Sequence, residues 1–154
     1  MEAKKIIITG GATRIGSAIA KSLVSFETKI GIHFNKSKSS ALKLKKELEE
    51  LGAEAYLFKA DLNNLKQTET LIKKAFKTLK GLDCLINNAA GNFISPTERL
   101  TPGAFDAIID IVLKGSTYYT LLLGKKWIKN KIELQKSIKD PLEKKFIELI
   151  NNYD

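Results

Sequence analysis

The chain has 154 residues, of which 44% are hydrophobic, and it carries a formal net charge of +9. This length suits one domain with its own core, and the composition excludes intrinsic disorder. The single cysteine, Cys84, excludes an internal disulfide, and its apolar neighbours indicate a buried thiol. The basic residues are spread along the chain without interleaved aromatics, which favours a solvated surface over a nucleic-acid interface; a preference for anionic ligands is the alternative.

The sequence gives no sign of a targeting or membrane segment. Its first residues lead directly into an apolar strand, which argues against a signal peptide. No apolar run approaches the length of a membrane span. We therefore expect no membrane partner and a cytoplasmic location.

Strand-like and helix-like segments alternate through the first part of the chain. The predicted strands cover residues 4–9, 29–34, 54–60 and 82–87, and the predicted helices cover residues 14–26, 37–52 and 64–81. Gly52 and Gly81 stand where the second and third helices end. Such alternation predicts right-handed crossovers and a parallel sheet that is covered on both faces.

A loop after Gly91 leads into a long predicted helix. Thr101 suits its N-cap and Pro102 its first helical position. The sequence changes character near residue 130, and a second capped helix is predicted from Asp140 onward, with an apolar stripe consisting of Leu142, Phe146, Leu149, Ile150 and Tyr153. No fifth strand is predicted, so we expect one α/β domain over 1–128 and a helical tail over 129–154.

Three glycines punctuate the turn between the first strand and the first helix. Gly10, Gly11 and Gly16 would allow a tight turn and a close approach of the backbone to a pyrophosphate. The N-terminus of the following helix offers free N–H groups to the same anion. This strand–turn–helix unit predicts a dinucleotide site, with a purely structural turn as the alternative.

The residues after the second predicted strand bear on the choice of dinucleotide. Residues 33–40 contain no acidic residue and offer Asn35, Lys36 and Ser37 instead, while Arg14 lies in the glycine turn. A carboxylate here would repel a 2′-phosphate, whereas guanidinium and ammonium groups attract one. The pattern favours NADP over NAD; the alternative is that Lys36 is simply a solvated lysine.

These motifs together resemble the short-chain dehydrogenase/reductase family. The sequence TGGATRIG is similar to its glycine turn, Ala60–Leu62 to its site after strand three, and Asn87–Gly91 to its N-N-A-G segment. The resemblance implies a three-layer Rossmann-like fold with strand order 3-2-1-4, here truncated. With the residues above, the implied cofactor-binding set is Gly10, Arg14, Ile15, Gly16, Asn35, Lys36, Ser37, Asp61, Leu62, Asn88, Ala89, Ala90 and Gly91. Asp61 would hold the adenine amino group.

Within the family, residues 87–128 resemble the 2,4-dienoyl-CoA reductase branch, and His33–Ser37 are similar to pteridine reductase-like members. The resemblance implies an NADP-dependent oxidoreductase, with an acyl-CoA as a candidate substrate. In the family, the long helix after strand four commonly packs against its partner in a dimer, which makes the helix over 102–128 a candidate surface for homo-oligomers.

Family members continue into a segment that carries Ser and Tyr-x3-Lys, in which the tyrosine transfers the proton and the lysine lowers its pKa. This pair does not occur here: Tyr56, Tyr118 and Tyr119 are followed four residues later by Ala60, Leu122 and Leu123, and Tyr153 is followed by one residue. Val112 also replaces a helix Asn found in many members. We therefore assign no catalytic residue and no metal, and expect core or packing roles for Tyr118 and Tyr119.

Three hypotheses about function follow. The first is a truncated NADP-dependent reductase that is inactive alone. The second is a non-enzymatic module that binds NADP or docks on a related protein, and the third is a fragment without stable function. His33, the only histidine, is expected near the adenine end and is given no catalytic role.

Overall fold

The computed structural model describes residues 4–25, 27–91 and 96–137. Four parallel strands form one sheet: β1 (Lys4–Ile8), β2 (Thr28–Phe34), β3 (Glu54–Lys59) and β4 (Cys84–Ile86). Their order is β3-β2-β1-β4, which confirms the predicted architecture. β4 is short and has a neighbouring strand on one side only in the described part of the chain. Cys84 is consequently half-buried, and the prediction of a buried thiol was wrong.

Three helices cross over between the strands: α1 (Arg14–Ser22), α2 (Lys38–Glu50) and α3 (Leu65–Thr78). Right-handed crossovers place α1 and α2 on one face of the sheet and α3 on the other. Asn64 caps α3, since its side chain accepts a hydrogen bond from the backbone N–H of Gln67 at 3.1 Å. Gly52 follows α2 with a φ of 97°, as predicted for a C-terminal glycine.

The core lies mainly between β1, β2 and the first two helices. Its buried residues include Ile6, Ile8, Ile30, Ile32, Phe34, Ala20, Leu44 and Leu48. Side chains alternate across a strand, so Ile7, which is fully buried, points to the opposite face, where α3 contributes Leu71 and Ile72. The carboxyl-terminal residues of the two central strands are therefore buried on both faces of the sheet.

The long helix forms where predicted but is not uniform. It begins with α4 (Pro102–Ile109), and the Thr101 side chain caps it by accepting from the Ala104 N–H at 3.2 Å. A π-helical segment over Asp110–Gly115 follows, and α5 (Ser116–Ser137) continues the helix. A π-helical turn widens a helix locally and is often found at functional sites.

The chain divides into two compact units, 1–120 and 121–154. The first contains the sheet and its helices, and the described part of the second is the remainder of α5. The domain boundary expected at residue 128 stays a prediction. The capped helix predicted from Asp140, with its apolar stripe, lies outside the described residues.

One helical stretch, Pro102–Lys131, is long and apolar enough to cross a membrane by length and composition alone. The sequence analysis found no such run because Asp110 and Lys114 interrupt it. In the structure these two side chains form an ion pair with a 2.5 Å N–O distance. Helices of soluble proteins meet the same criteria, so this stretch by itself assigns no membrane role.

Candidate functional site

A cleft of about 640 Å³ opens beyond the carboxyl ends of the strands. β1 pairs with both β2 and β4, so the cleft lies where the winding of the sheet reverses direction, the usual place for ligands in open α/β sheets. Its lining includes Gly10, Arg14, Ile15, Gly16, Asn35, Lys36, Ser37, Asp61, Leu62, Asn88, Ala89 and Ala90. The structure thus brings together every predicted cofactor residue except Gly91, which packs against Ile111, a residue of the cleft lining.

The glycine turn has no room for side chains at two positions. Gly10 has a φ of +61°, and a Cβ added there would lie 2.9 Å from the Ala89 Cα. A Cβ at Gly16 would lie 2.4 Å from the Gly10 carbonyl oxygen and 2.7 Å from the Asn88 side-chain nitrogen. Both positions therefore require glycine, as the sequence pattern predicted.

Thr9 and Asn88 join the glycine turn to the segment after β4. The Thr9 hydroxyl accepts from the backbone N–H groups of Asn88 and Ala89, both at 3.0 Å, and donates to the Ile86 carbonyl at 3.3 Å. In return, Asn88 Nδ2 donates to the carbonyls of Thr9 and Gly10 at 2.9 and 3.1 Å. These hydrogen bonds therefore join two walls of the cleft, the glycine turn and the segment after β4. The sequence analysis did not include Thr9 among the site residues.

The first turn of α1 offers donors to an anion. Thr13 precedes the helix in an extended conformation, and its side chain makes no capping hydrogen bond. The first amide groups of an α-helix have no intrahelical acceptor, so the N–H groups of Arg14 and Ile15 remain available beside the cleft.

The end of β2 is electropositive. Arg14 and Lys36 line the same cleft, and neither has an ion-pair partner within the described ranges. Arg14 also has a φ of 50°, in the left-handed region that residues with a side chain rarely adopt. Asp61 is the one acidic residue among the described lining, and its Oδ1 accepts from the Asn63 N–H at 3.0 Å.

His33 hydrogen-bonds to the glycine turn from the end of β2. It is 2% exposed, its Nδ1 lies 3.0 Å from the Gly10 N, and its Nε2 lies 3.1 Å from the Ala60 carbonyl oxygen. Burial lowers its pKa against the opposing effects of the Ala60 carbonyl and the Asp61 carboxylate. The sequence analysis placed His33 near the adenine end and gave it no catalytic role, because a lone histidine in a strand carries no motif.

No tyrosine lines the described part of the cleft. Tyr119 is fully buried with its ring centroid 6.4 Å from that of His33, and burial raises the pKa of its hydroxyl, so it stays protonated at neutral pH. Tyr118 is 42% exposed, and the Tyr56 hydroxyl donates to Glu54 at 2.6 Å on β3. The described cleft can hold a nucleotide, but it presents no tyrosine as a proton donor.

A glycine turn at the switch point of a parallel sheet has the layout of a dinucleotide-binding α/β domain. The model of the short chain dehydrogenase family matches residues 4–132. The chain therefore belongs to the short-chain dehydrogenase family.

Related sequences include two probable 2,4-dienoyl-CoA reductases. A probable 2,4-dienoyl-CoA reductase of Bacillus subtilis is 37% identical over an alignment of 134 positions, which covers 85% of this chain and 51% of that protein. A probable 2,4-dienoyl-CoA reductase 3 of Caenorhabditis elegans is 36% identical over 85% of this chain and 43% of its own length. The chain thus spans about half the length of these relatives.

Solved structures of short-chain dehydrogenases also match about half of their own length to this chain. A short chain dehydrogenase from Bacillus anthracis matches 82% of this chain and 52% of its own, with a TM-score of 0.74 and 31% identity. One from Burkholderia cenocepacia J2315, solved in complex with NADP, matches 80% and 51%, with a TM-score of 0.75 and 26% identity. These matches support the Rossmann-like fold and the family's nicotinamide cofactors.

Proposed function

We propose that this chain binds NADP(H) in the cleft above β1, β2 and β4. The observation that carries the proposal is the basic pair Arg14 and Lys36 beside the glycine turn, for which residues 4–25, 27–91 and 96–137 supply no ion-pair partner and, in the cleft lining, no carboxylate besides Asp61. A 2′-phosphate is attracted by such a pair, whereas a ribose diol gains little from it. The NADP complex of the Burkholderia cenocepacia relative agrees with this choice.

The proposed orientation follows the lining of the cleft. The pyrophosphate lies over the glycine turn, where the first N–H groups of α1 are free. The adenine half extends toward Asn35, Lys36 and Asp61. Titration of the purified chain with NADPH and with NADH, followed by nucleotide fluorescence, tests this directly. Tighter binding of NADPH is expected, and tighter binding of NADH would refute the cofactor assignment.

We further propose that these 154 residues do not catalyse reduction on their own. General acid–base help contributes roughly 10²–10⁴-fold to such reactions, and the Tyr-x3-Lys pair that gives this help in the family does not occur in the sequence. Binding energy far from the reacting carbon raises the rate only when it positions reacting groups. A 2,4-dienoyl-CoA is the proposed substrate class of any complete enzyme built on this half.

The assay is NADPH oxidation with a 2,4-dienoyl-CoA, using protein free of host reductases. No turnover above background is expected. Steady turnover that disappears with Gly16→Val would refute the proposal. NADPH binding without turnover would also suit the second candidate, a non-enzymatic NADP-binding or docking module.

We also propose that a second copy of the chain packs against the long helix. Phe105, Val112, Leu113 and Tyr118 are between 42% and 57% exposed along α4, the π-helical segment and the start of α5. Exposed apolar side chains grouped on one element are typical of association surfaces.

A further inference from the structure

Among the residues that the structure describes, His33 is the buried titratable group that lines the cleft and has no part in the function proposed above. Its ring and its backbone together bind two consecutive amides of the glycine turn. Nδ1 lies 3.0 Å from the Gly10 N, and the His33 carbonyl accepts from the Gly11 N–H at 2.9 Å. The other ring nitrogen reaches the Ala60 carbonyl at the end of β3, next to Asp61. One residue therefore connects the turn after β1 with the ends of β2 and β3.

The partners of the ring dictate its tautomer. A backbone N–H can only donate, so Nδ1 must present its lone pair to Gly10. A carbonyl oxygen can only accept, so Nε2 must carry the hydrogen that Ala60 binds. Only the neutral Nε2–H form satisfies both contacts. In the imidazolium form, a second hydrogen on Nδ1 would face the Gly10 N–H.

We propose that His33 is a positioning residue for NADP(H), whose neutral Nε2–H ring holds Gly10 in the conformation that accepts the pyrophosphate. Resting on the proposed function, this adds a residue that acts on the cofactor through the backbone of the turn. It also makes cofactor affinity depend on the protonation of a ring whose two nitrogens are bonded to the protein backbone. Acidification removes the acceptor from Gly10 and weakens nucleotide binding.

The groups around the ring agree with a neutral histidine. From the end of β3, the Asp61 carboxylate favours the cation, as does the Ala60 carbonyl, but burial outweighs both and lowers the pKa of His33. From α5, the Tyr119 ring packs near His33, and its hydroxyl stays protonated because burial raises its pKa. Arg14 and Lys36, which line the same cleft as His33, add positive charge that favours a neutral ring.

Two variants separate the hydrogen bond from the shape of the ring. His33→Phe keeps a planar ring without an acceptor, and His33→Asn places an amide oxygen near the Nδ1 position and does not titrate. Dissociation constants are measured for the unmodified chain and each variant from about pH 7.5 down to the lowest pH at which the chain stays folded, because burial lowers the pKa of His33 below the ordinary histidine value of about 6.5. NADH is measured beside NADPH, because a 2′-phosphate itself titrates near pH 6. Circular dichroism checks that each variant is folded.

At neutral pH we expect His33→Phe to lose about tenfold or more of the affinity for both nucleotides, and His33→Asn to recover part of it. The unmodified chain should bind NADH more weakly at the lower pH, and His33→Asn should lose that dependence. Affinity for His33→Phe equal to that of the unmodified chain would overturn the inference while leaving the proposed function intact. If the unmodified chain binds neither nucleotide, the proposed function fails and the inference fails with it.

A second measurement does not depend on the variants. Long-range proton–nitrogen correlation spectra of the unmodified, nucleotide-free chain report directly which ring nitrogen carries hydrogen. The Nε2–H tautomer is expected at neutral pH. An Nδ1–H tautomer or an imidazolium would overturn the proposal, whatever the nucleotide titrations give.

Discussion

Arg14 combines an unfavourable backbone with a favourable charge. Its φ of 50° lies in the left-handed region, which costs an L-residue about 1–2 kcal/mol. A glycine would adopt this conformation without strain. Within the described ranges no carboxylate pairs with the guanidinium, so the folded chain gains no ion pair in return. We infer that the Arg14 guanidinium instead serves to attract a phosphate group of the cofactor.

Replacing Arg14 with glycine should separate these two effects. We expect Arg14→Gly to raise the thermal midpoint of the free chain, because the strained conformation is relieved. We expect the same variant to lose about tenfold in NADPH affinity, the value of a lost charge-assisted hydrogen bond, with little change for NADH. Lys74→Gln, which removes a positive charge away from the cleft, is the matched control. Equal losses for both nucleotides would show that Arg14 contacts a part of the cofactor that they share.

Tyr119 is buried with a hydroxyl that has no partner among the residues the structure describes. Burying such a group without a hydrogen bond costs about 1–3 kcal/mol. Tyr119→Phe should therefore raise the free energy of unfolding by about 1 kcal/mol or more, measured by urea denaturation. Tyr118→Phe, at a residue that is 42% exposed, should leave it unchanged. A destabilised Tyr119→Phe would mean that the hydroxyl is hydrogen-bonded in solution.

At the scale of elements, local sequence predicted the order of strands and helices and the glycine turn, since these depend on neighbours along the chain. The alternation of strands and helices, the helix cap at Thr101 and the need for glycine at position 16 could each be predicted from a few neighbouring residues. The roles of Thr9 and His33 were not, because each depends on a backbone group brought close by strand pairing: Thr9 bonds across 79 residues and His33 across 27. The π-helical segment was also missed, since the sequence of the long helix predicts an ordinary α-helix.

The junction between the glycine turn and α1 gives a prediction with an internal control. Gly16→Ala would place a Cβ 2.4 Å from the Gly10 carbonyl, a backbone atom that cannot give way, whereas a Cβ at Gly103 would meet nothing within 4 Å. We expect Gly16→Ala to destabilise the chain by about 2 kcal/mol or more and to abolish nucleotide binding. Gly103→Ala, in the first turn of α4, should be neutral or stabilising by up to about 1 kcal/mol. Thermal unfolding and NADPH titration measure both, and equal effects of the two substitutions would contradict the packing described for the turn.

For the whole molecule, a net charge of +9 opposes self-association, while the exposed apolar side chains of the long helix favour it. Phe105 and Leu113 are more than half exposed, which is costly unless another surface covers them. Leu42 on α2 is 50% exposed and lies outside the long helix, so it offers a comparison.

Sedimentation velocity on the purified chain tests association through the helix. The double variant Phe105→Lys, Leu113→Lys should shift the chain toward monomer, because two charges would have to be desolvated at the interface. Leu42→Lys adds the same kind of charge elsewhere and should leave the distribution unchanged. A monomeric unmodified chain would exclude this surface as a homo-oligomer contact.

The hydrogen bonds between Thr9 and Asn88 also have a consequence for the time course of folding. They close a loop of 79 residues, whereas β1–β2 and β2–β3 pair consecutive strands. Loop-closure entropy makes the longer closure slower, and β4 contributes only three residues to the ladder. The first three strands should therefore acquire protection from hydrogen exchange before β4 does. The cleft between β1, β2 and β4 is then expected to assemble after the first three strands, so the proposed capacity to bind NADP(H) should appear only after much of the sheet is protected.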